Sequence, residues 1–88
     1  MKVLFTGNSW DDYRWWCEND VNTLLRLNEL IENIRRDPFK GLGKPEPLKG
    51  SLKGFWSRRI TNEHRIVYEV EGRGEAQTVT IVQCRYHY

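Results

Sequence analysis

The chain has 88 residues, of which 39% are hydrophobic and 30% charged, and its formal net charge is +2. This length predicts one domain over residues 1–88, because two separate cores would need a longer chain. Four Trp, four Tyr and three Phe residues exclude a disordered chain, since large apolar side chains offset the entropy lost on folding. No apolar run reaches the roughly 18 residues of a membrane span. Residues 1–10 also lack the features of a signal peptide, so we expect a cytoplasmic protein.

The first third of the chain predicts a strand followed by a helix. Lys2–Thr6 is rich in residues that favour β-structure and predicts the first strand. Ser9 is expected to begin the helix, because Ser9 and Asp12 have the spacing of a capping box. Apolar residues at helical spacing, with Trp16 beside them, predict the face that packs in the core: Trp10, Tyr13 and Cys17.

A second helix is predicted from Val21 to about Arg36, with Asp20 as its N-cap. The Asp37-Pro38 pair ends it, because the residue before a proline disfavours the helical conformation. Apolar positions recur every three or four residues and predict a buried face formed by Leu24, Leu27, Leu30, Ile31 and Ile34.

The second half of the chain predicts a loop and three strands. Residues 38–50 hold all three prolines and three glycines, a composition typical of a loop. Strands are predicted at about residues 53–60, 64–71 and 77–86, with turns at 61–63 and 72–75. The order β-α-α-β-β-β predicts an α+β fold with two helices packed on a mostly antiparallel sheet.

Alternation along these three strands assigns their side chains to two faces of the sheet. The apolar face should pack against the helices and contains Trp56, Ile60, Ile66, Tyr68, Val70, Val82, Cys84 and Tyr86. The opposite face is rich in arginine and contains Ser57, Arg59, Arg65, Val67, Glu69, Gln83, Arg85 and His87. Because arginine can donate two hydrogen bonds to one phosphate group, the second face predicts an anion-binding site.

Positive charge is concentrated in one part of the chain. Residues 40–65 hold seven Lys or Arg and two Asp or Glu, a balance of +5, so the rest of the chain carries −3. Such a concentration favours a local site for a polyanion. A solvated, lysine-rich loop is the alternative explanation.

Glu46 and His87 are candidates for proton transfer beside this anion site. Glu46 lies between Pro45 and Pro47, which stiffen the loop around a carboxylate in a basic neighbourhood. His87 suits a general acid, because histidine normally changes its charge near neutral pH. His64 is interpreted as structural, since it begins a strand and its parity points toward the core face.

Cys17 and Cys84 are far apart in the sequence, and no cluster of metal ligands accompanies either of them. We therefore predict two buried thiols, with no disulfide, metal site or cofactor. The Gly41-x-Gly43 pair is too short for a nucleotide-binding loop.

Four separated motifs resemble one known family. They are GKPEPLK at residues 43–49, GFWSRRIT at 54–61, HRIVY at 64–68 and CRYHY at 84–88. The segments SWDDY at 9–13 and NELI at 28–31 fit the same pattern. In this order they cover nearly the whole chain, which resembles the YoeB toxins of the RelE/ParE superfamily.

The resemblance implies a RelE-type, microbial RNase-like toxin fold and a ribosome-dependent endoribonuclease that cleaves mRNA in the ribosomal A site. It matches Glu46 to the general base, His87 to the general acid and Arg65 to the group that stabilises the transition-state phosphate. It matches supporting substrate contacts to Lys49, Arg59 and the terminal aromatic Tyr88. It also implies a YefM-type antitoxin as partner and a tendency to form homodimers.

The strongest competing interpretation is a ParE-like toxin that binds DNA gyrase without nuclease chemistry, and a catalytically inactive RNA-binding module is a third. ParE-like relatives do not need a Glu, Arg and His set, so its presence here favours the enzyme. The chain departs from the family at residues 71–78, where the last hairpin is a few residues longer than usual. This departure lies away from the motif residues.

Overall fold

The computed structural model of the chain describes residues 1–87, so the predicted role of Tyr88 lies outside the described residues. Two helices, α1 (Gly7–Asn19) and α2 (Val21–Arg36), pack on a five-stranded sheet. Its strands are β1 (Lys2–Phe5), β2 (Glu46–Pro47), β3 (Phe55–Arg59), β4 (Arg65–Glu71) and β5 (Thr78–Gln83). The strand order is β1-β5-β4-β3-β2; β1 pairs parallel with β5 and the other pairs are antiparallel. The predicted α+β fold is confirmed.

The predicted second helix is confirmed at both ends. The Asp20 carboxylate accepts a hydrogen bond of 3.1 Å from the backbone N–H of Thr23 and so caps the start of α2. At the other end, Asp37 is the C-cap. Leu27, Leu30 and Ile34 of its apolar stripe are buried in the core between helices and sheet, and Leu24 and Ile31 pack at the margin of that core. Neither α1 nor α2 combines the length and the hydropathy needed to cross a lipid bilayer.

The start of α1 differs from the sequence prediction. Thr6 is the N-cap, and it forms the capping box with Ser9, whose hydroxyl accepts from the Thr6 N–H at 2.9 Å. Ser9 is fully buried and also donates to the carbonyl of Ile81 at 2.5 Å. Asp12 accepts instead from the backbone N–H of Cys84 at 3.1 Å. Ser9 is therefore a link between α1 and β5, and the prediction that it begins the helix is wrong.

The face that α1 turns toward the core also differs from the prediction. Trp16 is buried, whereas Trp10 is 49% exposed and Cys17 is exposed. Trp10 stacks on Tyr13, and both rings contact Phe5, with ring centroids 5.6–5.8 Å apart. Tyr13 and Phe5 are partly buried and pack against the core, so the predicted core contact of Tyr13 is confirmed. Ser9 bonds to β5 and Trp16 to the carbonyl of Cys84 just after it, and these contacts set the rotation of the helix and turn the Trp10 side outward. The prediction of a buried thiol is thus confirmed for Cys84 and wrong for Cys17.

The last strand contains an irregularity that changes its parity. Ile81 pairs with Tyr68 of β4, and Gln83 pairs with Val67, the residue before Tyr68. Val82 is therefore an extra residue on β5. As a result Val79 and Ile81 join the core and Val82 is only half-buried, whereas Tyr86 is 58% exposed because it lies beyond the end of the strand. The predicted placement of Val82 and Tyr86 on the core face is wrong. The strand also ends at Gln83, three residues before its predicted end.

Candidate active site

A polar pocket of about 100 Å³ opens on the arginine-rich face of the sheet. It is lined by Lys44, Glu46, Ser57, Arg59, Arg65 and His87. Four of the predicted site residues therefore come together: Glu46, Arg59, Arg65 and His87. Lys49 lies outside the lining, and Lys44 and Ser57 line the pocket although they were not among the predicted site residues. The signal for Lys44 is its position two residues before Glu46 in a basic loop.

Strand pairing explains why these side chains share one face. Glu46 of β2 lies opposite Ser57 of β3, and Arg59 of β3 lies opposite Arg65 of β4. Ser57 and Arg59 are two residues apart, so both project to the same side of the sheet. The sequence prediction of a shared face is confirmed on β3 and β4. The two-residue strand β2, which the sequence predicted as loop, adds the carboxylate to it.

The loop before β2 places Lys44 and Glu46 at the pocket edge. Lys44 has φ +55°, a left-handed conformation that few non-glycine residues adopt. The carbonyl of the preceding Gly43 accepts a 2.6 Å hydrogen bond from the backbone N–H of Arg59. The Lys44 Nζ then lies 3.6 Å from Glu46 Oε1. Both side chains are at least half exposed, so this ion pair contributes little to stability and leaves the carboxylate accessible.

Arg58, a residue that the sequence interpretation left without a role, fixes this loop from inside. Its guanidinium is completely buried and donates to Tyr68 Oη at 3.0 Å and to Asn33 Oδ1. It also donates to loop carbonyls, those of Asp37, Lys40 and Leu42. A buried charge is tolerated because these acceptors replace its lost hydration. The carbonyl oxygens of the loop therefore converge on one cation.

Arg65 has a fixed orientation at the pocket wall. Its Nη1 donates to the carbonyls of Thr61, Asn62 and His64 at 2.7, 3.2 and 3.0 Å, which ties the guanidinium to the hairpin turn. Because the turn holds one nitrogen, the rest of the planar group keeps a defined direction beside Arg59. Two neighbouring guanidinium groups can bind one phosphate group.

The C-terminal segment carries His87 to the pocket after β5 has ended. Two residues of α1 hold the backbone of Cys84: its N–H donates to the Asp12 carboxylate, and its carbonyl accepts from Trp16 Nε1 at 2.8 Å. The guanidinium of Arg85 stacks 3.6 Å from the ring centroid of Trp15 and 4.5 Å from that of Tyr86. His87 follows, exposed at the pocket. His64 does not line the pocket; its ring packs edge-on against Trp16, in agreement with its structural interpretation.

Two groups near the C-terminal segment have a raised pKa. Burial raises the pKa of the Cys84 thiol to about 12, and the nearby Asp12 carboxylate adds to this rise. Burial also raises the pKa of Asp12 itself, although the Cys84 N–H and the Arg85 charge oppose that shift. Cys84 is therefore a neutral core side chain at physiological pH. Among residues 1–87, no group of three or more His, Cys, Asp or Glu side chains could hold a metal ion.

The fold and this pocket define a small α+β protein whose exposed site combines a carboxylate, an imidazole and two guanidinium groups around space for an anion. Residues 5–88 match the family described as YoeB-like toxin of bacterial type II toxin-antitoxin system. The chain is 53% identical over 88 residues to Toxin YoeB of Escherichia coli strain K12, with 100% of both chains covered. The chain belongs to the family of YoeB-like toxins.

Solved structures agree with this assignment. A YoeB/ParE toxin from Agrobacterium tumefaciens is 55% identical, with a TM-score of 0.94 and 100% of both chains covered. A YoeB dimer and a heterotetrameric YoeB-YefM complex from Staphylococcus aureus give TM-scores of 0.87 and 0.86 at 38% identity. In each comparison 100% of this chain and 98% of the other are covered. The family resemblance and the RelE-type fold predicted from the motifs are confirmed.

Proposed function

We propose that this toxin is a ribosome-dependent endoribonuclease that cleaves mRNA in the ribosomal A site and so inhibits translation. The observation that carries the proposal is the pocket that brings Glu46, Arg59, Arg65 and His87 together. These are the groups that RNA cleavage by its own 2′-OH requires: a base, an acid and cations for the phosphate.

The reaction follows from the roles of these groups. The Glu46 carboxylate takes the proton of the 2′-OH, and the resulting oxygen attacks the adjacent phosphorus. A P–O2′ bond forms, the P–O5′ bond breaks, and His87 gives its proton to the departing 5′-oxygen. The products are a 2′,3′-cyclic phosphate and a 5′-OH. Arg65, supported by Arg59, stabilises the negative charge on the phosphate oxygens in the transition state.

The order of the strands supports this division of roles. Glu46 lies on the edge strand β2, Arg59 on β3 and Arg65 on β4, and His87 follows β5. Across the sheet, the two arginines therefore lie between the carboxylate and the imidazole. An in-line displacement needs the same arrangement, because the attacking and leaving oxygens are on opposite sides of the phosphorus. Lys49 and Tyr88 remain predicted substrate contacts, and Lys44 is added as a further cation at the pocket.

The partners of this toxin follow from its family and its charge. The Staphylococcus aureus relatives form a YoeB dimer and a heterotetrameric complex with YefM. We propose that this chain likewise forms homodimers and is neutralised by a YefM-type antitoxin. The basic segment 40–65 would contact ribosomal RNA and mRNA. We therefore propose a cytoplasmic location, where ribosomes and mRNA are available.

Mapping of mRNA ends in a translating extract tests the nuclease. The wild type should produce new 5′-OH ends at A-site codons, and His87→Gln should reduce the cleavage rate by about 10²–10⁴-fold while ribosome binding persists. Arg73→Gln, a change in the distant hairpin, is the matched control and should cleave like the wild type. Inhibition of DNA gyrase without mRNA cleavage would instead establish the ParE-like function.

A substrate with one 2′-deoxy position tests the chemistry. Replacement of the attacking 2′-OH by hydrogen should block cleavage at that site, because the nucleophile is absent. A deoxy position one nucleotide away should have little effect. Undiminished cleavage of the first substrate would refute the proposed mechanism.

A further inference from the structure

The position of His87 depends on the unusual backbone of Tyr86. The sheet ends at Gln83, so the last residues cannot rely on strand pairing for their direction. Tyr86 has φ +67°, in the left-handed region that disfavours a bulky side chain. Such a conformation persists only where surrounding contacts hold it. It is the last backbone turn before the proposed general acid.

Two consecutive residues hold Tyr86 in this conformation. The backbone N–H of Tyr86 donates to Nδ1 of His64 at 2.7 Å, and its carbonyl accepts from the backbone N–H of Arg65 at 2.9 Å. A longer hydrogen bond of 3.5 Å from Gln83 Nε2 reaches the same carbonyl, so the His64 ring supplies the hydrogen bond on the N–H side of Tyr86. The same hairpin carries the arginine of the proposed active site.

His64 is itself a fixed acceptor. Its ring centroid is 4.8 Å from that of Trp16 in an edge-on arrangement, and Trp16 also holds the carbonyl of Cys84. The backbone of His64 accepts from the N–H of Ile60 at 2.9 Å and donates to Thr61 Oγ1 at 3.2 Å. The imidazole is thus held by both the hairpin and α1.

We propose that His64 is a positioning residue for His87. Nδ1 accepts the Tyr86 N–H, which requires a neutral ring with its proton on Nε2. This hydrogen bond keeps Tyr86 in the left-handed conformation and so directs His87 into the pocket beside Arg65. The catalytic consequence rests on the proposed nuclease function, whereas the hydrogen bond can be tested without it.

A matched pair of substitutions separates this role from simple packing. In His64→Asn the amide oxygen takes the place of Nδ1, while in His64→Gln the longer side chain takes its oxygen toward the place of Nε2. Both variants remove the aromatic contact with Trp16 to a similar extent. A residue needed only for packing would therefore make the two variants equally defective.

The first measurement is mRNA cleavage on translating ribosomes. His64→Asn should keep kcat within about 3-fold of wild type, whereas His64→Gln should lose about 10- to 100-fold in kcat, since small displacements of a reacting group are costly. KM should change little in either, and the two should melt at similar temperatures. Equal losses of kcat in both variants would overturn the proposal.

The second measurement, amide hydrogen exchange of the free chain by NMR, needs no catalysis. The Tyr86 amide should exchange at least about ten times more slowly in the wild type and His64→Asn than in His64→Gln. The Leu27 amide in α2 should exchange at the same rate in the wild type and both variants. Equal Tyr86 exchange in all three would overturn the proposal. Protection of Tyr86 in a wild type that cleaves no RNA would refute the nuclease alone and support the His64 contact.

Discussion

Two different lysines are candidates for a phosphate contact at the candidate site. The family resemblance assigns this role to Lys49, whereas the structure places Lys44 in the pocket lining, 3.6 Å from the Glu46 carboxylate. We expect Lys44→Gln to lower kcat/KM by about 10-fold, the worth of one hydrogen bond to a charged group.

Lys49→Gln is the matched comparison for this prediction, because it removes the same charge from the same loop. Steady-state cleavage of ribosome-bound mRNA by both variants provides the measurement. A loss confined to Lys49→Gln would show that the motif, and not the pocket lining seen here, identifies the contact.

Among the secondary-structure elements, the loop that carries Glu46 depends most on buried interactions. The Arg58 guanidinium donates hydrogen bonds to the carbonyls of Asp37, Lys40 and Leu42. Arg58→Met should lower the free energy of unfolding by roughly 3 kcal/mol or more, because several buried acceptors would lose their donor. Chemical denaturation measures this change. Arg59→Met, an exposed neighbour on the same strand, should stay within about 0.5 kcal/mol of wild type, and equal effects would contradict the role of Arg58.

The N-cap of α2 predicts a pH-dependent effect on stability. Hydrogen bonds from the side chain and backbone of Thr23 lower the pKa of Asp20 from its ordinary value of 3.8. Because the folded-state pKa is the lower one, the stabilising contribution is complete above pH 3.8 and declines as the pH falls through the folded-state value.

Melting temperatures at two pH values test this prediction. Asp20→Ala should melt below the wild type at pH 6, and the difference should shrink at a pH well below the ordinary pKa of aspartate, about 3.9. Asp11→Ala, an exposed change on α1, is the control and should show no such difference. An equal difference in melting temperature at both pH values would mean that the Asp20 charge does not stabilise the helix.

At the scale of the whole molecule, the uneven charge predicts how salt should affect the proposed binding to RNA. The +5 balance of residues 40–65 contrasts with −3 in the rest of the chain, although the net charge is only +2. Binding through this segment releases counterions, so the logarithm of the association constant should fall linearly with the logarithm of salt concentration. Each of Lys44→Gln and Lys53→Gln should reduce the slope by roughly 0.7 to 0.9 if it removes one phosphate contact.

Affinity for ribosomes, measured over a range of monovalent salt, provides the test. Arg73→Gln removes the same charge outside the basic segment and should leave the slope unchanged. Equal slopes for all variants would place the RNA contact on another surface.

Local patterns in the sequence determined much of the fold and part of the site. The capped and amphipathic α2, its end at Asp37-Pro38, and the shared face of β3 and β4 were predicted because each depends on residues close together in the chain. The motifs likewise predicted Glu46, Arg65 and His87, which line one pocket, and strand alternation predicted Arg59 on the face of Arg65. Hydrogen bonding in a helix and alternation in a strand repeat over a few residues, so a single sequence displays them.

Only the tertiary structure decided the features that depend on contacts between distant residues. Ser9 bonds to Ile81, and this contact helps to set which face of α1 is buried. The extra residue in β5 reverses the parity of its last positions, and it is visible only from the pairing with β4. His64 bonds to Tyr86, 22 residues away, and so gains a role that strand parity could not reveal. Such contacts form only where folding brings separate elements together, so no local pattern in the sequence records them.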